Sequence, residues 1–336
     1  MQGYKTHVQS GILLNANEAS QNVNETVKQE IIDAISNLSL NRYPDTTCHQ
    51  LHRLYAEVMN VPSSWILSGN GSDQMLGFLI QYYLQENKIL YTLSPDFSMY
   101  DYYVGLNHSK IEKYETNQDG SFDVEALISN GKDKNVDMVL FSNPNNPTGH
   151  SITLSEMKKI SEAFKDIPVI FDEAYMEFGK ESAVCLLKEY PNVFVCRTLS
   201  KAYGLAGIRC GFMISSQVEK LSALFIPYAL SSVTQTIASV VLRHADEYKD
   251  TIATIISERE RMYQEVKEFK QLTMYPSNAN FLFGRSEKKD LLLAMFKEKN
   301  ITIRNYEDAS FRITIGTKEE NEMVLDVLRR FEYANS

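Results

Sequence analysis

Between about residues 50 and 215, short apolar runs alternate with longer segments whose apolar residues recur every three or four positions. No other feature of the chain constrains its fold as strongly. The longer segments, at 49–59, 73–85 and 154–164, have the period of amphipathic helices. The short runs, at 89–92, 137–142, 168–171, 193–196 and 210–214, are continuous rather than alternating, as in strands buried on both sides. Strands that alternate with helices predict an α/β fold, a mostly parallel sheet covered by helices. Past residue 236 the pattern changes. One or two long helices are expected over 238–269, then a strand at 281–283, a helix at 289–299 and a strand pair at 302–304 and 311–315. A chain of 336 residues exceeds the roughly 250–300 that one core sustains, so two domains are predicted. The larger spans 46–235; the smaller, α+β in type, combines 236–336 with 1–45.

Several function classes fit poorly. A net charge of −9 lacks the basic face that nucleic acid or anionic lipid requires. The longest apolar runs, at 75–80 and 291–296, are too short to span a bilayer. Residues 1–10 are polar and carry no apolar secretory segment, so a cytoplasmic location is expected. Cys48, Cys185, Cys196 and Cys210 show no paired spacing, and no metal site is predicted.

In an open sheet of this kind, ligands bind beyond the carboxyl ends of the strands, and chemically able residues cluster there. Asp172 closes an apolar strand, where a carboxylate is costly to bury without a partner; it reads either as a helix cap or as a partner for a cationic ring nitrogen. Lys201 follows the next strand, bracketed by Ser200 and Arg209 and flanked by small and apolar residues. A solvated surface charge is the ordinary reading of a lysine. A desolvated lysine near another cation has a lowered pKa and attacks aldehydes. Gly71, Ser72 and Asp73 enter a helix whose free N–H groups suit a phosphate, or else form a plain glycine turn. A dinucleotide loop is disfavoured because Gly69-x-Gly71-x-x-Gln74 lacks the third small residue of that fingerprint. The turn from Asn143 to Gly149 is stiffened by Pro144 and Pro147 and presents Asn146. Phe97 follows another strand, placed to stack on a flat ring or to pack in a core.

These segments occur in a fixed order that, taken together, resembles the fold-type-I, pyridoxal-phosphate-dependent aminotransferases, and most closely the histidinol-phosphate aminotransferases. The matching pieces are 14–18 (Leu-Asn-Ala-Asn-Glu), 41–44 (Asn-Arg-Tyr-Pro), 71–73, Pro95-x-Phe97-x-x-Tyr100, 143–149, 172–175 (Asp-Glu-Ala-Tyr), 198–201, 207–211 and 311–316. The resemblance implies the aspartate aminotransferase-like fold and a homodimer. It also implies that Lys201 holds pyridoxal phosphate as a Schiff base and moves the substrate proton. Asp172 would pair with the ring nitrogen, Asn146 and Tyr175 with the ring hydroxyl oxygen, and Phe97 with the ring face. Gly71, Ser72, Asp73, Ser200 and Arg209 would hold the phosphate, joined by Tyr43 from the partner subunit. Arg312, Asn17 and Tyr43 would bind the substrate. The implied reaction converts histidinol phosphate and 2-oxoglutarate into imidazole acetol phosphate and glutamate, a step of histidine biosynthesis. An aromatic amino acid aminotransferase and a threonine-phosphate decarboxylase remain alternatives on the same fold.

One departure from the family pattern bears on the substrate. The segment before Leu14 is short, with Lys5 and His7 as its basic residues in place of the arginine the family often carries there. Arg304 offers a second positive charge, or is a solvated strand-end residue.

Overall fold

A computed structural model describes residues 10–334; Lys5 and His7 therefore lie outside the described residues. The larger of two sheets has seven strands. Their spatial order is Ile66–Asn70, Cys210–Ile214, Val193–Thr198, Val169–Asp172, Met138–Ser142, Ile89–Ser94 and Lys110–Glu115. The last five pair in parallel, whereas Cys210–Ile214 runs antiparallel to both its neighbours. Six strands thus point one way and one is reversed. The edge strand Lys110–Glu115, charged and half-exposed, has no counterpart among the expected runs. Its charges are the kind of residues that discourage edge-to-edge pairing.

The strand period of two splits each central strand between two cores. Val139, Phe141, Val169, Phe171, Val193 and Val195 belong to one cluster; Met138, Leu140, Ile170, Phe194 and Cys196 belong to the other. Both faces are therefore dry, which is why these strands read as continuous apolar runs. Helix Ser72–Tyr83 packs on the side of Ile170 and Phe194. Cys196 and Cys210 are fully buried in these clusters.

The expected long helical stretch resolves into Ser232–Arg243 and Tyr248–Val266, joined by a short 3-10 turn, Ala245–Glu247. A second sheet of five strands follows, ordered Ile12–Leu14, Ile301–Asn305, Ser310–Thr314, Phe281–Arg285 and Thr273–Tyr275. Ile12–Leu14 joins it in parallel with Ile301–Asn305. The segment after Ile12–Leu14 is held to the same sheet: Asn280 Nδ2 donates to Asn17 O (3.1 Å), and Asn17 N–H to Thr314 Oγ1 (3.0 Å). Among the described residues no helix is long and apolar enough to cross a membrane.

Candidate active site

Six segments of the larger sheet meet at one edge. Asp172 ends its strand, Ser142 leads into the Asn143–Gly149 turn, and Ser94 leads to Phe97. Thr198 leads to Ser200 and Lys201, and Asn70 leads to Ser72. The reversed strand brings Arg209 to the same edge because its amino end, not its carboxyl end, lies there. These segments and two from the smaller sheet enclose a cavity of about 240 Å³ whose lining includes Lys201, Asp172, Tyr175, Asn146, Phe97, Ser72, Asp73, Ser200, Arg209 and Arg312.

Asp172 is buried, with Oδ2 accepting from Tyr100 Oη at 2.9 Å and Oδ1 lacking any partner. Burial pushes its carboxyl up to about 7. An orphaned buried acceptor is costly unless a ligand completes it. Lys201 Nζ donates to Ala16 O at 2.9 Å and lies 5.9 Å from the Tyr175 ring. Burial, assisted by the Arg312 charge, lowers the amine to about 8. A usable fraction is then neutral and nucleophilic near neutral pH. Tyr175 Oη accepts from Asn17 Nδ2 at 2.9 Å, and burial raises its phenol to about 12, so it remains a donor.

The smaller sheet contributes Arg312, which is buried and placed 5.0 Å over the Phe281 ring. Its Nη1 donates to Asn146 Oδ1 and its Nη2 to Asn15 O (3.0 Å), while Nε is buried without a partner. Arg304 stands directly opposite Arg312 in the strand pair and lines the same cavity, with its guanidinium 5.8 Å from the Tyr306 ring.

At the other end, the first turn of helix Ser72–Tyr83 faces Arg209. Arg209 Nη2 pairs with Asp73 Oδ2 at 2.9 Å and Nη1 donates to Ser200 Oγ at 3.4 Å. A Cβ at position 211 would sit 2.1 Å from Ser72 N, so only glycine lets the strand pass the helix start this closely. Gly71 is at φ +81° and a Cβ there would meet Arg209 Nη2 at 2.5 Å. Exposed N–H groups, a guanidinium and a hydroxyl make an anion cradle.

The family model for aminotransferase class I and II matches residues 9–328. The histidinol-phosphate aminotransferase of Clostridium kluyveri is 33% identical over 325 residues, 95% of this chain and 92% of that one. That of Pyrococcus furiosus is 34% identical over the same shares. A crystal structure of histidinol-phosphate aminotransferase from Sinorhizobium meliloti in complex with pyridoxal-5'-phosphate superposes with a TM-score of 0.85 at 22% identity, covering 96% of this chain and 91% of that one. The chain belongs to the class I and II aminotransferases.

In this aminotransferase the expected site residues are nearly all brought together. Gly71 supports the cradle without facing the cavity, and Asn17 acts on Tyr175 from behind. Tyr43 is the exception: its side chain is 82% exposed, stacks on Tyr228 at 4.6 Å, and does not line the cavity of its own chain. Arg304, which the sequence left open, lies at the cavity. Four further residues carried no assigned role in the sequence reading: Tyr100, Asp96, Ser142 and Asn15. Tyr100 could have been found, because it follows Phe97 by three positions into a helix, and the two rings meet edge-on at 5.7 Å. Asp96 had no local signal beyond its place beside Phe97.

Proposed function

We propose that this aminotransferase moves an amino group between histidinol phosphate and 2-oxoglutarate, using pyridoxal phosphate held at Lys201. One observation carries the reading: Lys201 Nζ and the unpartnered Asp172 Oδ1 open onto one cavity, between an anion cradle and two opposed arginines. The residues fit the cofactor. Asp172 Oδ1, which has no partner, would accept the ring N–H, and its negative charge would keep that nitrogen protonated. Asn146 Nδ2 and Tyr175 Oη would donate to the ring hydroxyl oxygen, and Phe97 would cover a ring face. Ser72 and its N–H, the Asp73 N–H, Ser200 Oγ and Arg209 would hold the phosphate; Asp73 also fixes the guanidinium, and Gly71 keeps the approach open.

When bound, pyridoxal phosphate supplies an aldehyde that takes up the amino group and a pyridine ring that draws electrons from the substrate carbon. The chain does the rest. Lys201 Nζ would take the proton from the substrate carbon and deliver it to the carbon that had been the aldehyde, a transfer its lowered pKa favours. Arg312 and Arg304 face the substrate's anionic groups, a phosphate in one half-reaction and a carboxylate in the other. Asn17 would serve the substrate side through Tyr175, which it holds.

The two proposed domains, 46–235 and 1–45 with 236–336, divide this labour. The first carries the cofactor groups and the second carries Arg304 and Arg312. We also propose a cytoplasmic homodimer in which Tyr43 reaches the partner's phosphate cradle and substrate. Tyr43 and Tyr228 stack on each other and, like Leu40, Leu224 and Ile226, are exposed apolar side chains, which favours such a contact. The test is a panel of amino donors offered to the purified protein with 2-oxoglutarate. Imidazole acetol phosphate and glutamate are the expected products. Turnover of aromatic amino acids alone, or carbon dioxide from threonine phosphate, would replace the substrate assignment.

A further inference from the structure

Asp96 is a carboxylate at the cavity wall that the proposed reaction does not use. Its hydrogen-bond partners are all neutral: Phe97 N–H donates to Oδ1 at 2.7 Å, Ser142 N–H to Oδ2 at 3.2 Å, and Ser142 Oγ to Oδ1. A half-buried acid on a cavity wall, held only by neutral donors, fixes the direction in which those donors point.

The orientation it sets is that of Ser142. A serine hydroxyl has one proton to give and two lone pairs to accept with. The proton goes to Asp96, both of whose oxygens already face N–H donors and so serve as acceptors. Both lone pairs are then committed: Ser142 Oγ accepts from Asn146 N–H at 2.9 Å and from Asn145 Nδ2 at 3.4 Å. Asn145 Nδ2 also donates to Pro95 O (3.3 Å), so the whole turn is tied to the loop that carries Asp96. Asn146 Oδ1 in turn accepts from Arg312. That leaves Asn146 Nδ2 as the donor available to the cavity.

We infer that Asp96 is a positioning residue that acts through the Ser142 hydroxyl to set the Asn146 side-chain amide, and through its own neighbour sets the Phe97 ring. The inference rests on the proposed contact between Asn146 and the cofactor's ring oxygen. With a neutral amide at position 96, one of its two head atoms donates; it confronts the Ser142 N–H, and the serine is released to rotate. Asn146 then loses its anchor while Arg312 keeps its charge.

A donor to the ring oxygen stabilises its anion and so weakens that anion's hold on the proton of the adjacent lysine nitrogen. Losing the donor raises the pH midpoint of the bound cofactor's visible absorption change, a readout independent of turnover. With pyridoxal phosphate bound, Asn146→Ala is expected to raise the midpoint by about one unit, and Asp96→Asn and Ser142→Ala by on the order of half a unit each. The double variant should match either single one, because both break the same chain. Circular dichroism of each variant checks the fold; Ser142→Ala keeps the test open if Asp96→Asn does not fold. An unmoved midpoint in Asp96→Asn beside a raised one in Asn146→Ala overturns the inference. Additive shifts in the double variant overturn the route through Ser142. An unmoved midpoint in Asn146→Ala sinks the Asn146 contact on which both rest.

Discussion

Asp172 and Glu173 are chain neighbours, both buried carboxylates, and the protein treats them in opposite ways. Glu173 turns to the side of Phe171 and Val195. Its Oε2 accepts from Arg197 Nε at 2.9 Å and Ser182 Oγ at 2.7 Å, and its Oε1 from Ala183 N–H at 2.6 Å. Arg197 continues to Glu177 at 3.0 Å. Asp172 turns to the opposite side, meets one phenol, and keeps an empty oxygen. The two cations behave alike: Arg197 is locked between acids, whereas Lys201 holds a single carbonyl and is pushed toward neutrality. A one-residue step reverses the face of a strand. The same sheet edge therefore carries an arginine paired with two acids and, beside it, a lysine and an aspartate that lack an ionic partner.

The largest effect should come from Lys201→Ala, which removes all measurable transamination and the covalent visible signature of the cofactor. Its thermal unfolding should still be cooperative; loss of folding would mean the pair is structural after all. Next comes an exchange across the comparison. Asp172→Asn should slow turnover by about 10²–10³-fold, the range for losing one preorganised charge contact, while leaving urea stability equal or higher. Glu173→Gln should do the reverse, losing about 3 kcal/mol of stability because Arg197 loses a charged partner in the interior. Equal effects of the two substitutions on both measurements would dissolve the distinction.

The pH dependence of the cofactor-free protein sharpens it further. Burial raises Asp172 to about 7, above the value near 4 of an unfolded aspartate. The folded state then binds more protons than the unfolded state, so this stability is complete below about pH 4 and is lost as pH rises through 7. Lys201 has the opposite sign: its amine is lowered to about 8, and stability returns as pH rises from there toward 10. Scanning calorimetry across pH 4–8 should show a falling melting temperature, flatter in Asp172→Asn and with pyridoxal phosphate bound. A flat profile in the unaltered, cofactor-free protein would mean this carboxyl is not desolvated. The smallest effect expected is from Tyr100→Phe, about fivefold in turnover, equivalent to one hydrogen bond of about 1 kcal/mol. Removing that donor lets the Asp172 pKa rise further, which the same titration detects.

The likeness between Asp172 and Glu173 in the sequence also marks where reading residues in order stops. Continuous apolar runs specified the buried strands, because a strand dry on both faces has no polar positions to alternate. The ordered short motifs placed Lys201, Asp172, Asn146 and Arg209 at strand ends, because turn residues and strand termini are local properties of the chain. Those features were enough to predict one shared site and the anion cradle. They could not show that Tyr100 meets Asp172 across 72 positions, that Asp96 reaches Ser142, that Arg304 stands opposite Arg312, or that Tyr43 lies away from its own cavity. Such pairings depend on which strands become neighbours and on the register between them, and both are settled only when the two cores pack.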